Sequence, residues 1–202
     1  MVRGFSQIKG VNYEETFAPI ARYSSICSVI SIVVEMGWKI HQMDVKTTFM
    51  NGIIDQEVYV EQPQGFEVHG KETHVCWLKK ALYGLKQAPR AWYLRIDTYL
   101  LQIGFTKSEV DPNLYFIVIG GEALIMVLYV DDLFITGAER LIVGYTRDLA
   151  LEFEMKDIGL MHYFLGLELW QEEGHIFLGQ GRYTIDILSS STWVIVNPCP
   201  HP

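Results

Sequence analysis

The sequence predicts an α+β fold in which an antiparallel sheet carries helices packed on one face. Three observations point to it. LYFIVI, ALIMVLYV and LFITG follow one another with only Gly120-Gly121 and an acidic pair between them, as the strands of a meander do. Helical spacing of apolar residues appears in windows 24–36, 89–101 and 139–153. Antiparallel hairpins dominate the rest, with no internal repeat and no glycine-rich phosphate loop.

Taken in order, residues 1–23 read as irregular and polar, and the opening MVRGF looks cut rather than begun. Ser24 or Ser25 is a candidate cap for a helix to about Met36, with Ile26, Val29, Ile30 and Val33 on one face and Gly37 ending it. WKIHQMDV then reads as a strand delivering Asp44. EVYVEQPQGF is a short alternating strand stopped by Pro63, and HVCWLKK another. Pro89 suits the first turn of a helix running to about Leu101. After the meander, residues 139–153 form a helix with Leu141, Tyr145, Leu149 and Ala150 aligned. YFLGLELW and HIFLG pair as a final hairpin around residues 172–174, and RYTIDILSS is a last short helix. The tail 189–202 is Pro-rich and expected to be unpacked, leaving 1–188 as the domain.

Composition is that of a globular chain: 202 residues, 50% hydrophobic, 20% charged and 13% aromatic. No apolar run reaches the roughly 18 residues of a membrane span, and the N-terminus lacks the apolar core of a signal peptide. No membrane partner is therefore expected. The three cysteines, Cys27, Cys76 and Cys199, include no C-x-x-C pair, which disfavours a zinc site or disulfide framework and makes a reducing compartment the default. The net charge of −8 argues against nucleic-acid binding as an average, yet residues 79–95 hold five cations and no acid, interleaved with Tyr83, Trp92 and Tyr93. That stretch suits phosphates and bases, or else is a solvated helix face.

The feature that most needs explaining is Asp131-Asp132, set between the apolar runs ALIMVLYV and LFITG. Carboxylates there need a partner. If the flanking runs are antiparallel neighbours, the acids sit at the hairpin tip, and Asp44 at the end of another strand is placed to complete a set of hard oxygen donors for divalent ions. The plain alternative is a polar turn. Against that alternative stand four ordered motifs. DVKTTFMNG resembles motif A of reverse transcriptases, ALYGLKQAPRAW motif B, YVDD motif C and FLGLEL the primer-grip strand. The wording is similar to that of Ty1/copia retrotransposon reverse transcriptases across residues 2–188.

That resemblance implies a palm with partial fingers and a nucleotidyl transfer assisted by two Mg²⁺ ions, with Mn²⁺ as a substitute. By the same resemblance Asp44 and Asp131 bind both ions, Asp132 assists, and the Val45 carbonyl is a further ligand. Phe49 matches the steric gate under the sugar. Tyr83 and Gly84 match positions flanking the incoming nucleotide and template base. Lys86 and Arg90 contact phosphates of nucleotide and primer–template, and Gln87 bonds backbone. Lys156 matches a lysine that protonates pyrophosphate. Tyr129, Phe164, Leu165 and Gly166 hold the primer end, and Arg3 belongs to the fingers.

The implied partners are an RNA or DNA template with primer, deoxynucleoside triphosphates, and the thumb, RNase H and integrase of a longer polyprotein. The implied setting is cytoplasmic, in a virus-like particle. Departures from the pattern are the K-A-R-L-V segment missing before RGF, Cys27 where arginine is usual, and residues 160–163 reading LMHY beside the grip. They keep a second expectation open, a catalytically inactive remnant that at most binds nucleic acid.

Overall fold

A computed structural model describes residues 4–54 and 56–190. The tail from 191 onward and Arg3, on which two of the expectations fall, lie outside the described residues. Short 3₁₀ turns at Gly4–Ser6 and Thr48–Asn51 accompany α1 (Tyr23–Met36), β1 (Ile40–Val45), β2 (Tyr59–Glu61), β3 (Val75–Trp77) and α2 (Ala88–Gln102). Then come β4 (Thr106–Lys107), β5 (Leu114–Ile119), β6 (Glu122–Tyr129), β7 (Asp132–Gly137), α3 (Glu139–Phe153) and β8 (Met155–Leu160). The described residues close with β9 (Tyr163–Phe164), β10 (Leu167–Glu172), β11 (His175–Gly179) and α4 (Gly181–Ser190). A six-stranded sheet in the order β4-β5-β6-β7-β1-β8 is antiparallel throughout. β11-β10-β9 and β2-β3 form separate small sheets. Among the described residues no helix is long and apolar enough to cross a membrane.

The expectation that all helices lie on one face needs correction. Alternation sends Met43, Val45, Leu124, Met126, Leu128, Leu133 and Ile135 to one side, where they pack with Trp92, Ile96 and Leu100 of α2 and Leu141, Leu149 and Phe153 of α3. The intervening residues Ile40, Val127 and Phe134 face the other side, against Ile26, Val29 and Val33 of α1 and Phe164 and Leu169 of the β9–β11 sheet. The physical reason is in β6 and β7 themselves. Their apolar runs do not alternate with polar residues, so both faces had to be covered.

Three further differences are local. β8 pairs with β1, although MKDIGL carries no strand pattern strong enough to predict it. YFLGLELW is not one strand: Leu165 and Gly166 have φ of +49° and +82° and turn the chain between β9 and β10. At α1 the cap residue is Arg22, with no side-chain cap. Its N–H donates instead to Asp111 Oδ2 at 2.7 Å, which also draws Ser25 and the Asn113 N–H (3.0 Å, to Oδ1). A local serine cap is thus replaced by a buried carboxylate distant in sequence. The far end behaves as expected, with Gly37 at φ +65° and the Gly37 and Trp38 N–H groups donating to Val34 and Val33 carbonyls at 3.2 and 2.9 Å.

One side chain ties the small sheet to the large one. Gln171 of β10 accepts the Ile40 N–H at 2.8 Å and donates to the carbonyls of Ile40 and Met161 at 3.0 and 2.8 Å. It acts where a further strand residue would otherwise stand, beside the start of β1.

Candidate active site

The site is built at one end of the large sheet. β1 and β7 pair with Ile40 opposite Thr136 and end with Asp44 opposite Asp132. β6 and β7 end with Tyr129 opposite Asp132, so Val130 and Asp131 form a two-residue hairpin turn. Val130 sits at φ +55°, a left-handed position that a β-branched residue rarely takes. Such a residue costs on the order of 1–3 kcal/mol, which its surroundings must supply. Here the Val130 N–H donates to the Pro19 carbonyl at 2.7 Å, and the fully buried Trp92 donates its Nε1–H to the Val130 carbonyl at 2.8 Å. The Asp131 carbonyl accepts the Val45 N–H at 3.1 Å. The turn that carries the acidic pair is therefore pinned from three sides.

The three acids occupy different environments. Asp44 and Asp132 share a sheet face, and the turn residue Asp131 is exposed. Burial, above all, pushes the Asp132 carboxyl above its usual range, and the charges of Asp131 and Asp44 add to this. Gln42 opposes the shift by donating from Nε2 to Asp132 Oδ1 at 2.8 Å. Among the described residues no three His, Cys, Asp or Glu side chains are grouped closely enough to hold a metal ion. The donor chemistry nevertheless fits a hard divalent cation: carboxylate oxygens at adjoining strand ends, mutually repelling, beside a carbonyl. That carbonyl, of Val45, also accepts the Thr48 hydroxyl at 2.8 Å. On the other side of β1, Asp44 lies in register with the exposed Lys156 of β8.

Two more expected residues meet beside this edge. Phe49 and Tyr83 have ring centroids 4.7 Å apart and are tilted by 59°. Gly52, closing DVKTTFMNG, has a role in holding that segment down: a Cβ there would meet the backbone of Ala91 and Trp92 at 2.8 and 2.7 Å. Gly84 has φ +100°, and its carbonyl lies so near Gly4 that a Cβ on Gly4 would overlap it. The N-terminal segment is latched to this loop. Gln7 accepts the Lys86 N–H at 2.8 Å and donates to Gln87 Oε1 at 2.9 Å, while Gln87 donates to the Asn12 carbonyl at 3.4 Å. A cleft of about 1080 Å³ opens beside the latch, bordered by Gln7, Asn12, Tyr59, Glu61 and Leu82.

The basic, aromatic stretch 79–95 is only partly what its composition implied. Trp92 and Tyr93 are buried, so their rings belong to the core and are closed to bases. Arg90 faces Glu15 at 3.6 Å, and Arg95 pairs with Glu152 over the Phe153 ring. Lys79, Lys80 and Tyr83 remain at the surface. The grip residues divide similarly. Phe164 is buried against Phe134 and Tyr129, at 4.3 and 5.4 Å between ring centroids, whereas Leu165 is 48% exposed at the turn.

Sequence reasoning missed Gln42, Trp92 as the clamp of Val130, Gln7 and Gln171. Gln42 was within reach, since it stands two residues before Asp44 and so on the same face of a strand. The other three act across sequence distances that leave no local signal.

The sequence profile of a family described as reverse transcriptase (RNA-dependent DNA polymerase) matches residues 1–202. The chain is 39% identical over 203 residues to the Retrovirus-related Pol polyprotein from transposon RE2 of Arabidopsis thaliana, covering 100% of this chain and 14% of that protein. It is 37% identical over 206 residues to the Retrovirus-related Pol polyprotein from transposon TNT 1-94 of Nicotiana tabacum, covering 100% of this chain and 16% of that one. The putative transposon Ty5-1 protein of Saccharomyces cerevisiae is 36% identical over 151 residues, covering 74% of this chain and 49% of that protein. The chain thus spans a small part of the length of the Pol polyproteins it matches.

Proposed function

From the premise that this chain belongs to the reverse transcriptase (RNA-dependent DNA polymerase) family, in the Ty1/copia-type branch, we propose that it is the RNA-directed DNA polymerase core of a retrotransposon polyprotein. The observation that carries the reading is the β1–β7 register, whose last pair is Asp44 with Asp132, and Asp131 on the pinned turn beside them. Residues 1–188 would be a palm with part of the fingers.

Asp44 and Asp131, with the Val45 carbonyl, would hold two Mg²⁺ or Mn²⁺ ions, and Asp132 would assist. Bound there, the ions supply neutralisation of triphosphate charge and a lower pKa for the primer 3′-hydroxyl. The residues themselves do the positioning. Phe49, propped by the Tyr83 ring, fills the space under the sugar and excludes a 2′-hydroxyl. Tyr83, Gly84 and Lys86 line the nucleotide, and Lys156, cross-strand from Asp44, donates a proton to departing pyrophosphate. Arg90 and Tyr129 contact primer–template, while Leu165 and Gly166, anchored by buried Phe164, hold the primer end. Template–primer, deoxynucleoside triphosphates and the thumb, RNase H and integrase of a longer chain would be its partners, in a cytoplasmic virus-like particle.

The test is extension of oligo(dT) on poly(rA) with Mg²⁺ or Mn²⁺, comparing this chain with its Asp131→Asn variant. Extension that the variant loses supports the polymerase. No extension from either, with both folded by circular dichroism, supports an inactive remnant that keeps the acids without the chemistry.

A further inference from the structure

We propose that Gln42 is a positioning residue of this centre: its side-chain amide tethers one oxygen of Asp132 and leaves the other to face Asp44 and Asp131. The inference rests on the polymerase reading above and adds a residue to it. Its basis is geometric. Alternation places Gln42 and Asp44 on one face of β1, and register places Asp132 directly across from Asp44, with Phe134 across from Gln42. The bond from Gln42 Nε2 to Asp132 Oδ1, at 2.8 Å, is therefore a diagonal one. It draws the carboxylate along the sheet toward β1's interior, away from the like charge directly opposite.

The surroundings of Gln42 give the core no reason to want an amide. Ile40 and Phe134 on the same face are buried hydrophobics, and a methionine or leucine would pack among them. An amide serves a different purpose there. It donates a hydrogen bond without carrying charge, so it holds a carboxylate without neutralising it. With one oxygen held, Asp132 keeps a single free oxygen and one rotamer. Asp44 and Asp131 are left as the acids able to approach one another. This accounts for the division of labour among three neighbouring carboxylates on a structural ground, in side chains that belong to this chain.

The experiment measures Mn²⁺ binding to the whole chain by electron paramagnetic resonance of the free ion, for the parent protein, Gln42→Met and Gln42→Asn. Partners of metal-holding groups typically change affinity about 10- to 100-fold when removed, and a dissociation constant raised by that factor is expected in both variants. Thermal midpoints measured in chelator should fall modestly in both variants, because the half-buried Asp132 carboxylate loses its hydrogen bond, with the fold retained by circular dichroism. Should Gln42→Met fold poorly, Gln42→Asn, polar but too short to span the diagonal, still answers the question. Mn²⁺ binding equal to the parent's in the folded variants overturns the assignment of Gln42 while leaving the polymerase reading intact. If the parent binds no Mn²⁺ that Asp44→Asn removes, the polymerase reading falls and the role of Gln42 with it.

Discussion

The strands that carry the acids and the β2–β3 hairpin are built on opposite plans. β1, β6 and β7 are covered on both faces, by α2 and α3 on one side and by α1 with the β9–β11 sheet on the other. In β2 and β3, Tyr59, Val75 and Trp77 are all exposed, and so is Phe66 in the loop between them. Gln62 makes three of the bonds that organise that loop. It donates to the Lys71 and His74 carbonyls at 2.6 and 2.9 Å and accepts the Val68 N–H at 2.8 Å. The contrast teaches where positional precision is needed. Asp44 and Asp132 sit on strands packed on both faces, while a lobe with little buried apolar surface opens at small cost.

The strongest way to break the frame is through Trp92. Replacing it by alanine removes a fully buried indole and should cost about 3–5 kcal/mol in urea denaturation. Trp92→Phe keeps most of the packing but orphans the Val130 carbonyl, at about 1–3 kcal/mol, and should loosen the turn enough to lower extension activity. A Trp92→Phe protein with parental stability and activity would show that the turn holds itself.

Next in size is Asp111→Ala, which leaves the N–H groups of Arg22 and Asn113 without their carboxylate and should cost about 1–2 kcal/mol. Burial pushes the Asp111 carboxyl up, but the bonds from Ser25, Asn113 and Arg22 outweigh it and hold the group below its usual range. A lowered folded pKa contributes stability that is present above the unfolded value, near about 3.9, and is lost as pH falls through the folded one. The difference between parent and variant should therefore narrow in acid, and a gap that stays constant down to pH 2 would contradict this.

Asp132→Asn should act in the opposite direction. Its folded pKa is raised, first by burial, so the ionised form is penalised in the folded protein. The penalty grows as pH rises from the unfolded carboxylate value through the folded one, and vanishes below it. The variant should unfold at a higher temperature than the parent at neutral pH, match it in strong acid, and lose activity. Equal midpoints at pH 7 would mean that the Gln42 amide already offsets the burial.

The smallest effect is expected from the hairpin. Trp77→Ala should change stability by no more than about 0.5 kcal/mol, because a ring at the surface has little to lose. A loss of several times that would mean that β3 is packed, and the contrast between the two regions would dissolve.

Much of this was legible in advance. Gly37, Pro89 and the meander with Gly120-Gly121 mark their elements by backbone chemistry alone, and the helix and strand ends follow within a few residues. The sequence also singled out Asp44, Asp131 and Asp132 as candidates, because they stand in two of the four ordered motifs. What misled was local inference about surfaces. The rings at 92 and 93 look available within a basic stretch, yet the spacing of Ala88, Trp92, Ile96 and Leu100 makes them one buried stripe of α2. The helix placement misled similarly, since uninterrupted apolar runs in β6 and β7 already call for cover on both faces.

The sequence by itself determined the family and most of the elements, because these depend on residue type and short spacing. The tertiary structure alone decided which side of the sheet α1 covers and that Asp111 serves its start. It also decided that Lys156 comes to lie across from Asp44 and that Gln42 reaches Asp132. Each of these is a pairing between residues far apart along the chain. Their register is set by the packing of both sheet faces together, and no window of sequence contains it.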